Sequence, residues 1–395
     1  MPRRLTPVAL AAVLMLSGCA PAPSGAEPAP APGSDAVPAD GVTELAAPAL
    51  HLTTLAPDGA VSHLDLASGR SSTIARIAPA DAVAGDGRYL FALREGSVTI
   101  VDSGAWTWNH GDHVHYYSGP ARVVGDVEGP GTPTVVAGER SVGISFDGGG
   151  GPGEAVLVKV APLADGEIEE LFRRDAAAAA GAAGMVVPLA YGAWVTEVAD
   201  GRVARLRHVD EEGVAGEAVR CADAAGSIAT AVGVVVACAD GVVLAADGRP
   251  AQTERLDYPA ADDRVRAFSG REGRPSVAAL TDGGAVWVLD TRARAWHAWR
   301  AASAVTAVAA VGDDADHVVA VSRSGEVRVH HGTTGRLLST VAASGAPAHV
   351  PALFPEQRQT YVVDPAGAAL VVDHGSGAVL ARFALPDGLT VLTGR

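Results

Sequence analysis

The chain is predicted to be all-β and to fold as a β-propeller of eight blades, with seven as the alternative count. Three observations carry this reading. Beyond residue 48, short runs of Val, Ala, Leu and Ile alternate with Asp-Gly and Gly-Gly turns, as at Asp58-Gly59, Asp86-Gly87, Asp200-Gly201 and Asp282-Gly283. A marker strand recurs at Val61, Val98, Val156, Val203, Val242, Val286, Val327 and Leu370. A period of about 40 to 50 residues with four short strands per unit is the propeller signature. The sequence also lacks an amphipathic helical pattern of useful length, and the Ala176–Ala180 run has no polar face.

Each element of the repeat has a local reason. The turn after the marker strand reads Asp65-Leu66-Ala67-Ser68-Gly69 in the first unit. It reads His331-Gly332-Thr333-Thr334-Gly335 in the seventh and Asp373-His374-Gly375-Ser376-Gly377 in the last. Glycine at the fifth position supplies a positive φ, and a leading Asp bonds its own backbone two residues on. A four-stranded unit buries its faces only against its neighbours, so the ring has to close. Leu389 to Thr393 is a final strand without partners of its own, and it is expected to complete the first blade, which opens at Leu50 one strand short. The interval from Val98 to Val156 is the longest in the series. Its extra residues predict a loop over one end of the ring, Trp106 to Tyr117, packed down by Trp106, Trp108, Tyr116 and Tyr117.

The N-terminus carries a different message. Arg3 and Arg4 precede a short apolar run, Leu5 to Leu16, which ends in Leu16-Ser17-Gly18-Cys19. The run is too short to span a bilayer, and the pattern resembles a bacterial lipoprotein signal in which Cys19 is lipidated and becomes the mature N-terminus. Residues 20–48 are rich in Ala and Pro, with seven prolines, and are expected to form a semi-extended linker. The predicted organisation is a signal peptide over 1–19, a linker over 20–48 and one propeller domain over 49–395. The expected location is extracytoplasmic, lipid-anchored to the cell membrane.

Composition narrows the function. The net charge is −15, with no basic block after the signal segment, which argues against nucleic acid as a partner. Lys159 is the only lysine, so a phosphate-cradling G-x-x-x-x-G-K loop is absent. A G-x-S-x-G elbow, an H-E-x-x-H helix and a paired-carboxylate signature are likewise missing, and the chain is not expected to be an enzyme. With Cys19 lipidated, Cys221 and Cys238 remain, and an oxidising compartment favours a disulfide between them on neighbouring strands. A metal site on that pair is the weaker alternative, because no His stands close in sequence.

The densest chemistry lies at Asn109-His110-Gly111-Asp112-His113-Val114-His115. His113 and His115 leave the same face of an extended backbone, and His110 and Asp112 can swing in from the turn at Gly111. Imidazole nitrogen and carboxylate oxygen suit a borderline ion such as zinc. The predicted metal ligands are therefore His110, Asp112, His113 and His115, holding at most one zinc. His51, His63, His208, His297 and His317 stand alone and are expected on the surface or in hydrogen bonds. His330 and His331 point to opposite faces of a strand end, and His349 and His374 can approach the cluster only through folding.

Trp106 through Tyr117, the Cys221/Cys238 pair and the closing run Tyr361-Val362-Val363-Asp364-Pro365-Ala366-Gly367 resemble the AztD-type zinc metallochaperones. Those are exported propellers accompanying a zinc ABC importer. The resemblance implies zinc held by histidines and a carboxylate and passed to the importer's solute-binding protein. It also exposes departures. Family histidines are replaced here at Ala182-Ala183-Gly184, Ala224-Ala225-Gly226 and Gly270-Arg271-Glu272-Gly273. Alanine cannot ligate zinc, and Arg271 repels it. The leading expectation is a zinc-binding, membrane-anchored lipoprotein. The alternative is a propeller serving as a protein-interaction platform with reduced or lost metal binding.

Overall fold

A computed structural model describes residues 41–109, 113–176, 184–246, 248, 251–341, 350–364 and 367–395. The signal segment with Cys19, and most of the linker, lie outside the described residues. So do His110, Asp112 and His349.

The apolar runs form antiparallel sheets in chain order, and the second and third strands of each, such as Tyr89–Arg94, Ser97–Asp102 and Ser141–Phe146, are buried because both of their faces meet neighbouring sheets. Sheet I orders Leu389–Thr393, His51–Leu55, Ala60–Asp65 and Ser71–Arg76. Sheet II orders Ala82–Gly85, Tyr89–Arg94, Ser97–Asp102 and Arg122–Glu128, and sheet III Pro133–Ala137, Ser141–Phe146, Gly153–Lys159 and Glu170–Ala176. Sheet IV contains Val186–Pro188, Ala193–Ala199, Arg202–Val209 and Ala215–Arg220. Sheet V contains Ser227–Thr230, Gly233–Cys238, Gly241–Ala246 and Gln252–Asp257. Sheet VI has three strands, Ser276–Leu280, Val286–Asp290 and Ala295–Trp299. Its first-strand position is taken by a segment that makes only isolated bridges, Val265 to Thr281 and Ser269 to Ala278. Sheet VII orders Val305–Ala310, His317–Ser322, Val327–His331 and Leu337–Val341. Sheet VIII orders Ala352–Pro355, Gln359–Asp364, Ala368–Asp373 and Ala378–Ala384.

All eight predicted marker residues fall on the third strand position of these sheets. The predicted turns hold as well. Asp65 accepts from the amides of Ala67 and Ser68 at 2.8 and 2.9 Å, and Gly69, Gly335 and Gly377 have φ of 68°, 67° and 72°. Outer strands such as Ser71–Arg76 and Gln252–Asp257 are largely exposed. Among the described residues, helix is confined to Val160–Leu163 and a 3-10 turn at Gly148–Gly150.

Packing follows the same order. Leu55 and Val61 of sheet I meet Leu90 and Val101 of sheet II, and Phe91 and Ile100 of sheet II meet Ile144 and Phe146 of sheet III. The seams continue sheet by sheet to Val319, Val321 and Val327 of sheet VII against Leu370 and Val372 of sheet VIII. Tyr361 and Val371 of sheet VIII then pack on Leu52 and Leu392 of sheet I.

A ninth sheet interrupts sheet II between its third and fourth strands. Ala105–Asn109 and Val114–Ser118 form a hairpin, and Thr43–Leu45 adds to it with Glu44 opposite Tyr117. Thr43–Leu45, assigned to the linker, is thus a strand. Three residues of ordinary composition give no periodicity to read, and the hairpin edge supplies the pairing.

Candidate metal centre

In the four-stranded sheets II to V, VII and VIII the connections from first to second strand and from third to fourth strand emerge at the same end. Asp86, Glu139, Glu272, Asp313, Glu356 and His374 all lie in connections at that end.

The hairpin of the ninth sheet is one such connection. Its rings of Trp106 and Tyr117 stack at 5.3 Å, and the Arg88 guanidinium lies 4.0 Å over Trp106. Trp106 and Tyr117 therefore hold the hairpin against sheet II, whereas Trp108, expected to do the same, is 40 % exposed and Tyr116 lines the cavity beneath the hairpin. His113 and His115 share a face, their rings 4.7 Å apart and edge to face. His115 Nδ1 is 2.6 Å from Glu44 Oε1, a carboxylate that the sequence reading did not single out. Of the four predicted ligands, these two histidines are the ones within the described residues.

A cavity of about 810 Å³ opens beneath the hairpin, lined in part by Thr107, Asn109, Val114 and Tyr116. The connections of sheets II, III, VI and VIII bring Asp86, Glu139, Glu272 and Glu356 to its wall, with Arg271, Arg358 and Arg395 among them. Arg395 Nε pairs with Glu356 Oε1 at 2.7 Å. Loss of solvent pushes the Asp86 carboxyl up to about 6, against hydrogen bonds from the Tyr89 and Arg88 amides. Glu272 is raised in the same sense by burial, with Arg395 pulling the other way.

The third feature sits at the same end of the seam between sheets VII and VIII. His317 opens the second strand of sheet VII, in step with Val319 and Val321, so it faces sheet VIII. His374 continues the Leu370 and Val372 face past the third strand of sheet VIII, so it faces back. Asp313 lies in the connection before His317. Its Oδ2 is 2.6 Å from His317 Nδ1 and 3.8 Å from His374 Nε2. The two imidazole rings are 5.3 Å apart. One donor atom from each of the three residues lies within 4.8 Å of the others.

Burial sets the electrostatics of this cluster. His374 is 3 % exposed, and desolvation lowers its pKa while Asp313 raises it, the net direction being down. Its Nε2 is 3.3 Å from the Gln357 carbonyl and its Nδ1 3.4 Å from Thr360 Oγ1. Burial pushes the Asp313 carboxyl up, but hydrogen bonds from the His317 amide and ring, with the charge of both imidazoles, hold it below the usual range. A neutral imidazole and an ionised carboxylate are the ligand forms that a divalent ion needs.

The donor set fits zinc. Two imidazole nitrogens and a carboxylate oxygen at about 2.0–2.1 Å from the ion stand about 3.3 Å apart in a tetrahedron. Small side-chain movements close a 4.8 Å spread to that value. His317, set aside by sequence as solitary, and His374, reachable only through folding, are both members. The readable signal was strand alternation: residues 317, 319 and 321 on one sheet and 370, 372 and 374 on the next point into one seam.

Fold and site together define a β-propeller bearing a two-histidine, one-aspartate cluster between two adjacent sheets. Its fold is of the AztD type. The structure of apo AztD from Citrobacter koseri aligns with a TM-score of 0.74 at 17 % identity, covering 88 % of this chain and 98 % of that one. A further crystal structure of Citrobacter koseri AztD gives 0.74 at 18 % identity, covering 88 % and 98 %. The dihydro-heme d1 dehydrogenase NirN, in complex with DHE, aligns at 0.54 and 16 % identity, over 88 % of this chain and 75 % of its own. No protein-family profile and no curated protein sequence matches the chain.

Proposed function

We propose that this chain is an extracytoplasmic zinc carrier, built as a closed eight-bladed propeller and tethered to the membrane through lipidated Cys19 and the linker over 20–48. It holds one zinc ion as cargo and hands it to the solute-binding protein of a zinc ABC importer, without a catalytic step. The observation that carries the reading is the convergence of Asp313, His317 and His374 on one seam. The AztD-type fold and the resemblance of the Trp106–Tyr117 segment to that family support the direction of transfer.

The hairpin offers a second location for the same ion. His113 and His115 on one face, with Glu44 against His115, are two imidazoles and a carboxylate. His110 and Asp112 would add to them. Zinc titration of the intact chain against a chelator of micromolar affinity decides between the two. The expected result is one equivalent bound. Changing His317 and His374 together to Ala should weaken it by more than the roughly 100-fold that loss of an outer-shell partner costs. Changing His113 and His115 together should leave it in place. The reverse pattern moves the site to the hairpin, and no binding in the unaltered chain leaves the propeller as an interaction platform. The anchor has its own test. Cys19→Ser is expected to release the protein from the membrane fraction, and its persistence there would mean that something other than the lipid retains it.

A further inference from the structure

Three protein donors leave a tetrahedral zinc shell one ligand short. The strand register of sheet VII offers the fourth. His317 is directly opposite His331, the last residue of the third strand. Opposite residues of an antiparallel pair share a face, with Cβ atoms about 4.5–5.5 Å apart, a spacing from which two imidazoles can converge on one ion. The face is again the one turned to sheet VIII: Val327, in step with His331, belongs to that seam, whereas His330 stacks on Trp299 of sheet VI at 4.7 Å.

The surroundings of His331 have the form that metal-bound histidines take. Its Nδ1 is 3.3 Å from Asp316 Oδ2, and that nitrogen is buried without a well-formed hydrogen bond. Asp316 is itself fixed. It has φ of 55°, accepts from the amide and the hydroxyl of Thr333 at 2.6 and 2.7 Å, and through its carbonyl accepts from the Gly332 amide at 2.6 Å. A ligating imidazole usually gives its second N–H to a carboxylate, which sets the tautomer and aims the other nitrogen. With the proton on Nδ1 toward Asp316, the lone pair of His331 is on Nε2. The ring is about one-third exposed, so it has room to close on an ion.

We propose that His331 Nε2 is the fourth protein ligand of the seam site, with Asp316 as the positioning residue behind it. This rests on the seam being the zinc site. The shell would then be two imidazoles and a carboxylate from the buried seam, completed by one imidazole from its exposed rim. The rim ligand would be the first that a partner can displace.

Cobalt(II) added to the intact chain separates this proposal from the reading beneath it. One equivalent with the intense visible absorption of four-coordinate cobalt is expected for the unaltered chain. His331→Ala should still bind one equivalent, at least tenfold more weakly, with the absorption reduced to that of higher coordination by water. Asp316→Asn should weaken binding about tenfold or more while keeping the four-coordinate spectrum. Thermal unfolding is followed for each variant, and His331→Gln replaces His331→Ala if the latter lowers the midpoint. An unchanged spectrum and affinity in the His331 variant, with binding lost in the His317/His374 variant, overturns the fourth ligand and leaves the seam site standing. Cobalt binding that survives the His317/His374 change, or no binding at all, overturns both.

Discussion

A chain ended at Gly388 is expected to lose cooperative folding altogether. The strand Leu389–Thr393 is paired along its whole length with His51–Leu55. Without it, sheet I loses its first strand, and His51–Leu55 becomes an open edge with unpaired amides and carbonyls. Two seams lose apolar contact at once, because Leu392 packs between sheets VIII and I and Val391 between sheets I and II. Removing a buried aliphatic side chain costs about 2–5 kcal/mol. The buried hydroxyl pair of Thr53 and Thr393 at 2.7 Å and the Thr54–Thr390 pair at 2.8 Å are lost with it. Each lost hydrogen bond adds about 1 kcal/mol, against a net stability of about 5–15 kcal/mol for a whole domain. The measurement is thermal unfolding followed by circular dichroism, with size exclusion for aggregation. A sharp transition at the full chain's midpoint would mean that sheet I holds without this strand.

That strand was legible because a repeat with a missing member announces where the member must come from. Unit length, the Gly69, Gly335 and Gly377 turns and the presence of an insertion after Val98 were readable for a similar reason, each depending on local spacing or a local φ, although the insertion was read as a loop and is a strand hairpin. The seam site was not. Asp313 and His317 are four apart, which helix spacing would explain as readily, and His374 lies on the next sheet. Strand alternation gives the face each histidine takes, but only the packing of sheet VII on sheet VIII brings the three together. The first-strand position of sheet VI escaped as well, since the stretch around Gly270 and Gly273 lacks an apolar run, and its bridges at Val265 and Ser269 are tertiary in origin. His110-Gly111-Asp112-His113 drew attention because its density is local. Local density and three-dimensional convergence are different quantities, and a ring of sheets converges residues that sequence keeps apart.

Removing the Cys221–Cys238 disulfide is expected to cost about 3 kcal/mol, the loop-closure value for a crosslink of about this span. The two cysteines were expected on neighbouring strands, and the bond in fact ties two sheets. Cys221 follows the outermost strand of sheet IV, and Cys238 ends the second strand of sheet V. Their Cα atoms are 4.9 Å apart and their sequence separation is 17. Both are buried in the seam with Trp194, Leu206, Val236 and Val243. Reduction alone leaves two buried thiols of nearly the same volume, so the loss is mainly the freedom regained by the unfolded chain. Changing both residues to Ala removes two buried sulfurs as well, and that variant should be the less stable of the two, since its cavity adds to the lost crosslink. Midpoints in urea for the oxidised, reduced and double-alanine proteins give the order directly. Equal midpoints for oxidised and reduced protein would mean that the seam holds its geometry without the bond. The IV–V seam lies away from sheets VII and VIII, where the Asp313 cluster sits, and contacts in a ring of sheets are mostly between neighbours. Zinc stoichiometry should therefore be the same in all three proteins wherever they remain folded, so that a loss of metal on reduction would tie the two seams together.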